Sequence, residues 1–282
     1  AQLQYSIKLV LLSTELWSKH DVRPDTVLDM ALSSVDDAYK GCVPAMLTKV
    51  KVYLKDEITA NTDDFGTGWT DHYDALDNKE SDGELTVEHI LAIKLYSGVL
   101  YKNLNDAVRV GKDKYKAKTF EFYAWHFLLS DAIRILKEKN NPNECLKTVY
   151  RGTKREKKMT MRFGQFASSS TYEHVAKMFA DWKTCFKITT CFGASLAGLS
   201  QLNNEEEVLI SPYEVFKMAE VTKNKVLEDK DKDHKSECEI VYELEMGPLN
   251  ILLAIGVGRG VTARLLIFLW SIPDLVKVSC IF

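Results

Sequence analysis

The sequence lacks the patterns that mark several common functional classes. Its net charge is only −3, from 37 basic and 40 acidic residues, and no basic stripe runs along it. It has no C-x-x-C pair, and its cysteines and histidines do not cluster with zinc spacing. No G-x-S-x-G elbow surrounds its serines, and no internal repeat is present. A nucleic-acid partner, a metal site and serine hydrolysis are therefore not expected.

Cysteine is present but widely scattered. The six cysteines lie at positions 42, 145, 185, 191, 238 and 280 of 282 residues. Separations this long suit disulfides that close large loops, which would indicate an oxidising compartment. Six buried free thiols in a cytosolic protein would give the same pattern, and the spacing alone does not distinguish the two interpretations.

Each end of the chain contains an apolar run that lies outside the expected domain. Residues 1–24 form an N-terminal extension in which Ile7–Leu12 fits either the remnant of a secretory signal or a first strand or helix. The tail, residues 246–282, contains Arg259 and Arg264, each costing about 2.5–3.5 kcal/mol to insert into a bilayer. A simple spanning helix is therefore not expected. A lipid-anchor signal fits the tail only loosely, and its role is left open.

Residues 25–245 are expected to form one domain whose first part, 25–145, is helical. Apolar residues recur there at steps of three and four, which indicates one buried helix face. The clearest stripe consists of Phe122, Trp125, Leu129, Ala132 and Leu136. Thr86 is predicted to cap another helix, and Asn61–Trp69 is predicted to form turns.

The second part, residues 146–245, is predicted to consist mostly of strands. Ile240, Tyr242 and Leu244 alternate with polar residues, and alternation with period two is typical of a strand. The predicted fold class is therefore α+β, with an N-terminal helical half packed on a mainly antiparallel sheet.

A short apolar strand ends in an arginine followed by a glycine, at residues 149–152. The guanidinium fork of Arg151 suits a phosphate or pyrophosphate. Gly152, which has no Cβ, lets a ligand approach the backbone closely. On its own, this motif is more often an ordinary surface arginine at a turn.

Aromatic residues alternate into a run of three serines, Ser168, Ser169 and Ser170. A strand that ends in hydroxyl groups can fix a polar ligand or orient a carboxylate. A serine-rich turn would have the same composition.

Three consecutive glutamates, Glu205, Glu206 and Glu207, precede the apolar run V-L-I, which is typical of a buried strand. Because side chains alternate along a strand, Glu205 and Glu207 are predicted to share one face and Glu206 to point away. Two such carboxylates can divide two roles, one stabilising positive charge and the other accepting a proton. Seen alone, three glutamates are more often a solvated acidic loop.

Taken in order, Y-R-G, F-A-S-S-S and E-E-E-V-L-I resemble the Arg–Ser–Glu triad, ending in E-x-E, of the vertebrate arginine-specific ecto-mono-ADP-ribosyltransferases. Other segments look like family segments in family order. They are L-D-M-A-L-S-S-V-D-D-A-Y-K-G-C, L-N-D-A-V-R-V-G, F-Y-A-W-H-F-L-L-S-D-A-I-R-I-L and K-I-T-T-C-F-G-A. The resemblance covers roughly residues 25–245, which is far more specific than any single motif.

The resemblance implies a role for each matching residue. Arg151 would bind the phosphates of NAD or NADP, and the backbone of Gly152 would hold the nicotinamide carboxamide. Ser168 would contact the ribose and help to orient the catalytic glutamate, Glu207, which would stabilise an oxocarbenium-like transition state. Glu205 would receive the acceptor arginine.

The resemblance also implies an aromatic cover for the nicotinamide. Phe179 is the candidate, and Phe186 or Trp182 would serve equally.

A disulfide framework is implied as well. Cys42 would pair with Cys238 and Cys145 with Cys191, although Cys185 competes for Cys145.

The implied activity is transfer of ADP-ribose from NAD to arginine side chains of proteins, with release of nicotinamide. The enzyme would be extracellular, either secreted or lipid-anchored, and would act as a monomer on arginine-bearing acceptor proteins. Two alternatives stay open. Water could replace the acceptor, giving an NAD glycohydrolase, which Gln in place of Glu205 would favour. The fold could also serve as a cell-surface antigen or binding module with weak catalysis.

Overall fold

The computed structural model describes residues 30–76, 83–154, 162–202, 204–224 and 237–247. The helices in these ranges are α1 Val43–Ala60, α2 Thr67–Ala75, α3 Val87–Leu95, α4 Tyr101–Val110, α5 Lys112–Lys116, α6 Tyr123–Asn140 and α7 Glu173–Ala180. The strands are β1 Leu146–Thr153, β2 Ala167–Ser170, β3 Thr184–Thr190, β4 Ala194–Ser195, β5 Glu207–Ile210, β6 Phe216–Lys223 and β7 Ile240–Met246. Short π-helical segments, Thr62–Gly66 and Tyr96–Leu100, precede α2 and α4.

The architecture is α+β, which confirms the predicted fold class. Within the described ranges, α1 to α6 precede the first strand, and seven strands form one sheet in the order β4-β5-β2-β1-β3-β7-β6. Each neighbouring pair is antiparallel except β3 with β7, which is parallel. Helix α7 lies between β2 and β3 in the chain and packs on β1.

The sheet is covered on both faces around β5. Leu209 belongs to the large core of the helical half, which includes Trp125 of α6. Val208 and Ile210 belong to a second core, together with Phe186 of β3. All four residues of β5 are buried, which explains why Val208, Leu209 and Ile210 form an apolar run rather than an alternating pattern.

The segment Asn61–Trp69 is helical, so its prediction as turns is wrong. The π-helical turn after α1 leads directly into α2, and the rings of Phe65 and Trp69 lie buried with centroids 5.6 Å apart. Burial of the two rings outweighs the turn-forming composition, because local propensity is weaker than tertiary packing. Gly66 is needed here, since a Cβ would lie 2.5 Å from the carbonyl oxygen of Ile58.

Cys145 and Cys191 form a disulfide, as the resemblance implied. It joins the residue before β1 to the residue after β3. A buried carboxylate supports the same corner: Glu214 accepts hydrogen bonds from Thr190 Oγ1 at 2.6 Å and from the N–H of Cys191 at 2.7 Å. Burial raises the pKa of Glu214 to about 7. The chain leaving β3 is thus fixed by a covalent bond and by a buried acceptor.

Cys238 is bonded to Cys185, so the predicted pair of Cys42 with Cys238 is wrong. The cause is the parallel pairing of β3 with β7, which brings the Cα atoms of Cys185 and Cys238 to 5.9 Å. Cys185 therefore does not compete for Cys145. Cys42 is also disulfide-bonded, but not to Cys238.

Within the described ranges, no helix is both long enough and apolar enough to cross a membrane. The run Ile7–Leu12 and the chain beyond residue 247 lie outside the described residues. The expectations for both ends of the chain therefore stay predictions.

Replacing both Cys185 and Cys238 by serine should destabilise the protein. Their bond closes a separation of 53 residues, for which the chain-entropy model gives about 4 kcal/mol. Denaturant unfolding of the variant and the wild type would measure the difference. Non-reducing peptide mapping of the wild type should recover a Cys185–Cys238 cross-link, and a peptide joining Cys42 to Cys238 would contradict the assignment.

Candidate active site

Arg151 lies near the end of β1, opposite Phe186 of β3. Its Nη1 donates a hydrogen bond to the carbonyl oxygen of Ser168 on β2, and its guanidinium carbon lies 5.8 Å from the ring centroid of Phe163. Burial lowers the pKa of Arg151, whereas the negative charge of Glu207 acts in the opposite direction. A guanidinium withdrawn from bulk water in this way is a strong site for an anion.

Three side chains of the helical half, none of them predicted from the sequence to have a role, act on the charge of Arg151. Tyr96, Tyr101 and Arg109 all lie close enough to act on its charge. The rings of Tyr96 and Tyr101 are 6.3 Å apart, and Arg109 is oriented by a hydrogen bond from its Nε to Gln165 Oε1. Arg109 also pairs with Asp106 through Nη1, so its positive charge is partly offset.

The glycine after this arginine is explained by helix packing. A Cβ on Gly152 would lie 1.9 Å from the carbonyl oxygen of Ala176 and 2.6 Å from the nitrogen of Ala180, both in α7. Helix α7 therefore rests directly on the backbone of β1, which no other residue type would allow. The contact of Gly152 with nicotinamide stays a prediction.

The serine run lies on β2, between β1 and β5. Ser170 is opposite Glu207 of β5, and directly opposed residues share a face of the sheet. Ser168, two positions from Ser170, lies on that same face. The hydroxyl of Tyr96 donates to the carbonyl oxygen of Phe166, the residue before β2, at 3.0 Å. Ser170 Oγ donates to the carbonyl oxygen of Glu205 at 2.5 Å. The run thus links the arginine strand to the glutamate segment.

Glu207 is the first residue of β5 and is only 5% exposed. Its Oε2 accepts a hydrogen bond from Ser200 Oγ at 2.7 Å, and its charge acts on Arg151. A buried carboxylate is costly unless it is paired, and the guanidinium and the hydroxyl together offset that cost. Ser200 was missed in the sequence because G-L-S-Q-L-N-N contains no recognisable motif.

Glu205 and Glu206 precede β5, so the strand-alternation argument does not describe them. Glu206 has φ 44°, in the left-handed region, and the N–H of Glu205 donates to the carbonyl oxygen of Leu202 at 3.1 Å. A turn therefore brings Glu205 towards Glu207. Burial raises the pKa of Glu205, and the charge of Glu207 raises it further.

The three aromatic candidates occupy different environments. Phe179 lies on α7 with 55% of its surface exposed, free of described contacts with Arg151, Ser168 or Glu207. Phe186 is core: it is 5% exposed, and its ring stacks on that of Tyr242 at 5.6 Å.

The third aromatic candidate, Trp182, follows α7 with φ 59° and is partly buried. Phe179 is the most exposed of the three, and its role as the nicotinamide cover stays a prediction.

The arrangement combines an anion-binding arginine with a buried carboxylate. Positive charge on Arg151 suits phosphate, and negative charge on Glu207 would stabilise a cation formed beside it. Among the described residues, no group of three or more His, Cys, Asp or Glu side chains could hold a metal ion. Such a site suits a substrate that carries phosphates and develops positive charge elsewhere.

An arginine, a serine and a buried glutamate on three adjacent strands, with helices before the sheet, define a protein of the ADP-ribosyltransferase class. The chain belongs to the NAD:arginine ADP-ribosyltransferase family, whose model matches residues 28–233.

Several curated relatives are similar to the chain. "Ecto-ADP-ribosyltransferase 5" of Bos taurus is 36% identical over 213 residues, covering 70% of this chain and 67% of the relative. "Erythroblast NAD(P)(+)--arginine ADP-ribosyltransferase" of Gallus gallus is 31% identical over 218 residues, covering 73% of this chain and 71% of the relative.

Solved structures agree with these relatives. The crystal structure of the eukaryotic mono-ADP-ribosyltransferase ART2.2 matches with a TM-score of 0.61 and 28% identity, covering 78% of this chain and 95% of that one. A variant of ART2.2 in complex with NAD matches with a TM-score of 0.60, again at 28% identity and covering 78% of this chain and 92% of that one.

Replacing Glu207 by glutamine should lower the pKa of Glu205, because one of the two causes that raise it, the neighbouring charge, is removed. Carboxyl NMR titration of Glu205 would measure the change. Glu206→Gln is the matched control, since Glu206 is not a cause of the shift, and it should leave the titration of Glu205 in place. Equal shifts in both variants would contradict the proximity of Glu205 and Glu207.

Proposed function

We propose that the protein transfers ADP-ribose from NAD, or NADP, to arginine side chains of proteins and releases nicotinamide. The observation that carries this proposal is the placement of Arg151 and the buried carboxylate of Glu207 on the two strands that flank β2, with Arg151 hydrogen-bonded to the carbonyl oxygen of Ser168. Membership of the NAD:arginine ADP-ribosyltransferase family supports the substrate and the acceptor. Curated relatives carry ADP-ribosyltransferase in their names, one of them with NAD(P) and arginine.

Arg151 would hold the pyrophosphate of the dinucleotide through its guanidinium fork. Ser168 would contact the ribose next to the scissile bond. The backbone of Gly152 would hold the carboxamide, and Phe179 would cover the nicotinamide ring. These contacts would place the glycosidic carbon beside Glu207, because β2 lies between β1 and β5.

The bond that breaks joins the ribose C1′ to the ring nitrogen of nicotinamide. Its electron pair goes to the nitrogen, so a cationic pyridinium leaves as a neutral ring and positive charge develops on the ribose. Glu207 would bind the ribose 2′-hydroxyl and stabilise that charge electrostatically. A carboxylate held in a low-dielectric site does this better than one surrounded by water.

The acceptor guanidinium must lose a proton before one of its nitrogens can bond to C1′, since its pKa lies above about 12. Glu205 would dock the guanidinium fork and take that proton. Burial and the charge of Glu207 raise the pKa of Glu205, and a raised pKa makes its carboxylate a stronger base. Glu205 is therefore the residue that favours transfer over hydrolysis.

Two other outcomes use the same fold. An NAD glycohydrolase would pass the ribosyl group to water, and the presence of Glu205 rather than glutamine argues against it. A binding module with weak catalysis would not need a buried glutamate held by a serine, as Glu207 is held by Ser200.

An extracellular site of action is part of the proposal. The described disulfides suit an oxidising compartment, and curated relatives are named ecto-enzymes. The protein would be secreted or carry a lipid anchor. It would act as a monomer on arginine-bearing acceptor proteins, with residues 25–245 as its single catalytic domain.

Incubation of the folded protein with labelled NAD and agmatine, a free guanidino acceptor, tests the proposal. The wild type should form labelled ADP-ribosyl-agmatine. Glu207→Gln should abolish both the adduct and free ADP-ribose, because the transition-state charge loses its partner. Glu205→Gln should remove the adduct and spare much of the hydrolysis.

Glu206→Gln is the control for that series and should keep both activities. Loss of activity in this variant would move the catalytic assignment. Free ADP-ribose without adduct from the wild type would establish the glycohydrolase, and no turnover by folded protein would favour the binding module.

A further inference from the structure

The carboxylate of Glu207 is held on one side only. Oε2 accepts the hydrogen bond from Ser200 Oγ at 2.7 Å. Within the described part of the chain, Oε1 has no hydrogen-bond partner. A glutamate carboxyl group rotates broadly about its last torsion, so one bond to Oε2 sets the plane and leaves Oε1 directed for a ligand.

Ser200 is itself fixed and buried. It is 7% exposed, its N–H donates to the carbonyl oxygen of Leu196 at 3.0 Å, and its Oγ accepts from the N–H of Leu202 at 3.1 Å. Because that N–H occupies an acceptor position of the hydroxyl, the hydroxyl hydrogen is left to point at Glu207. The donor is therefore oriented before any substrate binds.

The segment that carries Ser200 is attached to the helical half. The N–H of Gln201 donates to Ser97 Oγ at 2.9 Å, and its Nε2 donates to the carbonyl oxygen of Lys94 at 2.9 Å. Gln201 also packs against Gly98, where a Cβ would lie 3.0 Å from Nε2. These contacts run from the end of α3 through Gln201 to Ser200 and then to the strand half.

We propose that Ser200 is a positioning residue that holds the Glu207 carboxylate so that Oε1 meets the ribose of the dinucleotide. This inference rests on the proposed function. It assigns the orienting hydroxyl to Ser200, outside the serine run of β2, whose Ser170 bonds the carbonyl oxygen of Glu205. Preorganising a charged group in this way acts on the transition state more than on ground-state binding.

Steady-state kinetics with labelled NAD and agmatine would test the inference on the full chain. Ser200→Ala should lower kcat by about 10- to 100-fold, the value of one hydrogen bond to a charged group. KM for NAD should stay near that of the wild type, because the dinucleotide is bound by other residues. The melting temperature should fall, since the buried Glu207 carboxylate and the N–H of Leu202 lose a partner. Ser200→Thr, which restores a hydroxyl, should recover most of kcat.

Ser195→Ala is the matched control. Ser195 is the last residue of β4, and its Oγ accepts from the N–H of Ala197 at 3.2 Å. Because this hydroxyl does not bond Glu207, its removal should leave kcat unchanged. If Ser200→Ala folds poorly, Ser200→Cys keeps nearly the same shape but donates weakly and should show the same kcat loss.

Three results would overturn the inference. The first is a Ser200→Ala kcat within about twofold of the wild type. The second is a Ser200→Ala variant with a raised KM for NAD and an unchanged kcat. The third is a Ser195→Ala variant whose kcat falls as much as that of Ser200→Ala. Inactive wild-type protein would instead overturn the proposed function, and the inference with it.

Discussion

The position of β2 between β1 and β5 is the constraint on which the site depends. Ser170 lies opposite Tyr150 on one side and opposite Glu207 on the other, so backbone pairing fixes the distance between the arginine strand and the glutamate strand. The site follows from this ladder, because Arg151 on β1 donates to the carbonyl oxygen of Ser168 on the neighbouring strand β2. Packing of α7 on Gly152 and the disulfide at Cys145 keep β1 in place.

Burial of opposite charges gives this scaffold its chemistry. A guanidinium and a carboxylate withdrawn from water would each be costly alone, and each lowers the cost of the other. Neither is paired directly in a salt bridge among the described contacts, so both stay available to a ligand. A dinucleotide with negative phosphates and a ribose that becomes cationic would meet both charges in matching places.

The sequence predicts the fold class, because periodic patterns are local to a linear chain. Its motifs name Arg151, Ser168 and Glu207, which the structure brings onto three adjacent strands, and their roles stay predictions. It fails where pairing between distant elements decides the outcome. The Cys185–Cys238 bond follows from a parallel β3–β7 pair, which alternation along a strand does not reveal. The hydrogen bond from Ser200 to Glu207 likewise depends on a turn and on contacts between Gln201 and the helical half.

Arg151 and Glu207 are proposed to form one dinucleotide site across three strands. A crystal structure of the Glu207→Gln variant with NAD tests it most directly, because the variant should bind NAD without consuming it. The pyrophosphate should lie on Arg151 and the nicotinamide ribose against residue 207, within reach of Ser168. NAD bound elsewhere, or bound with its ribose away from residue 207, would contradict it.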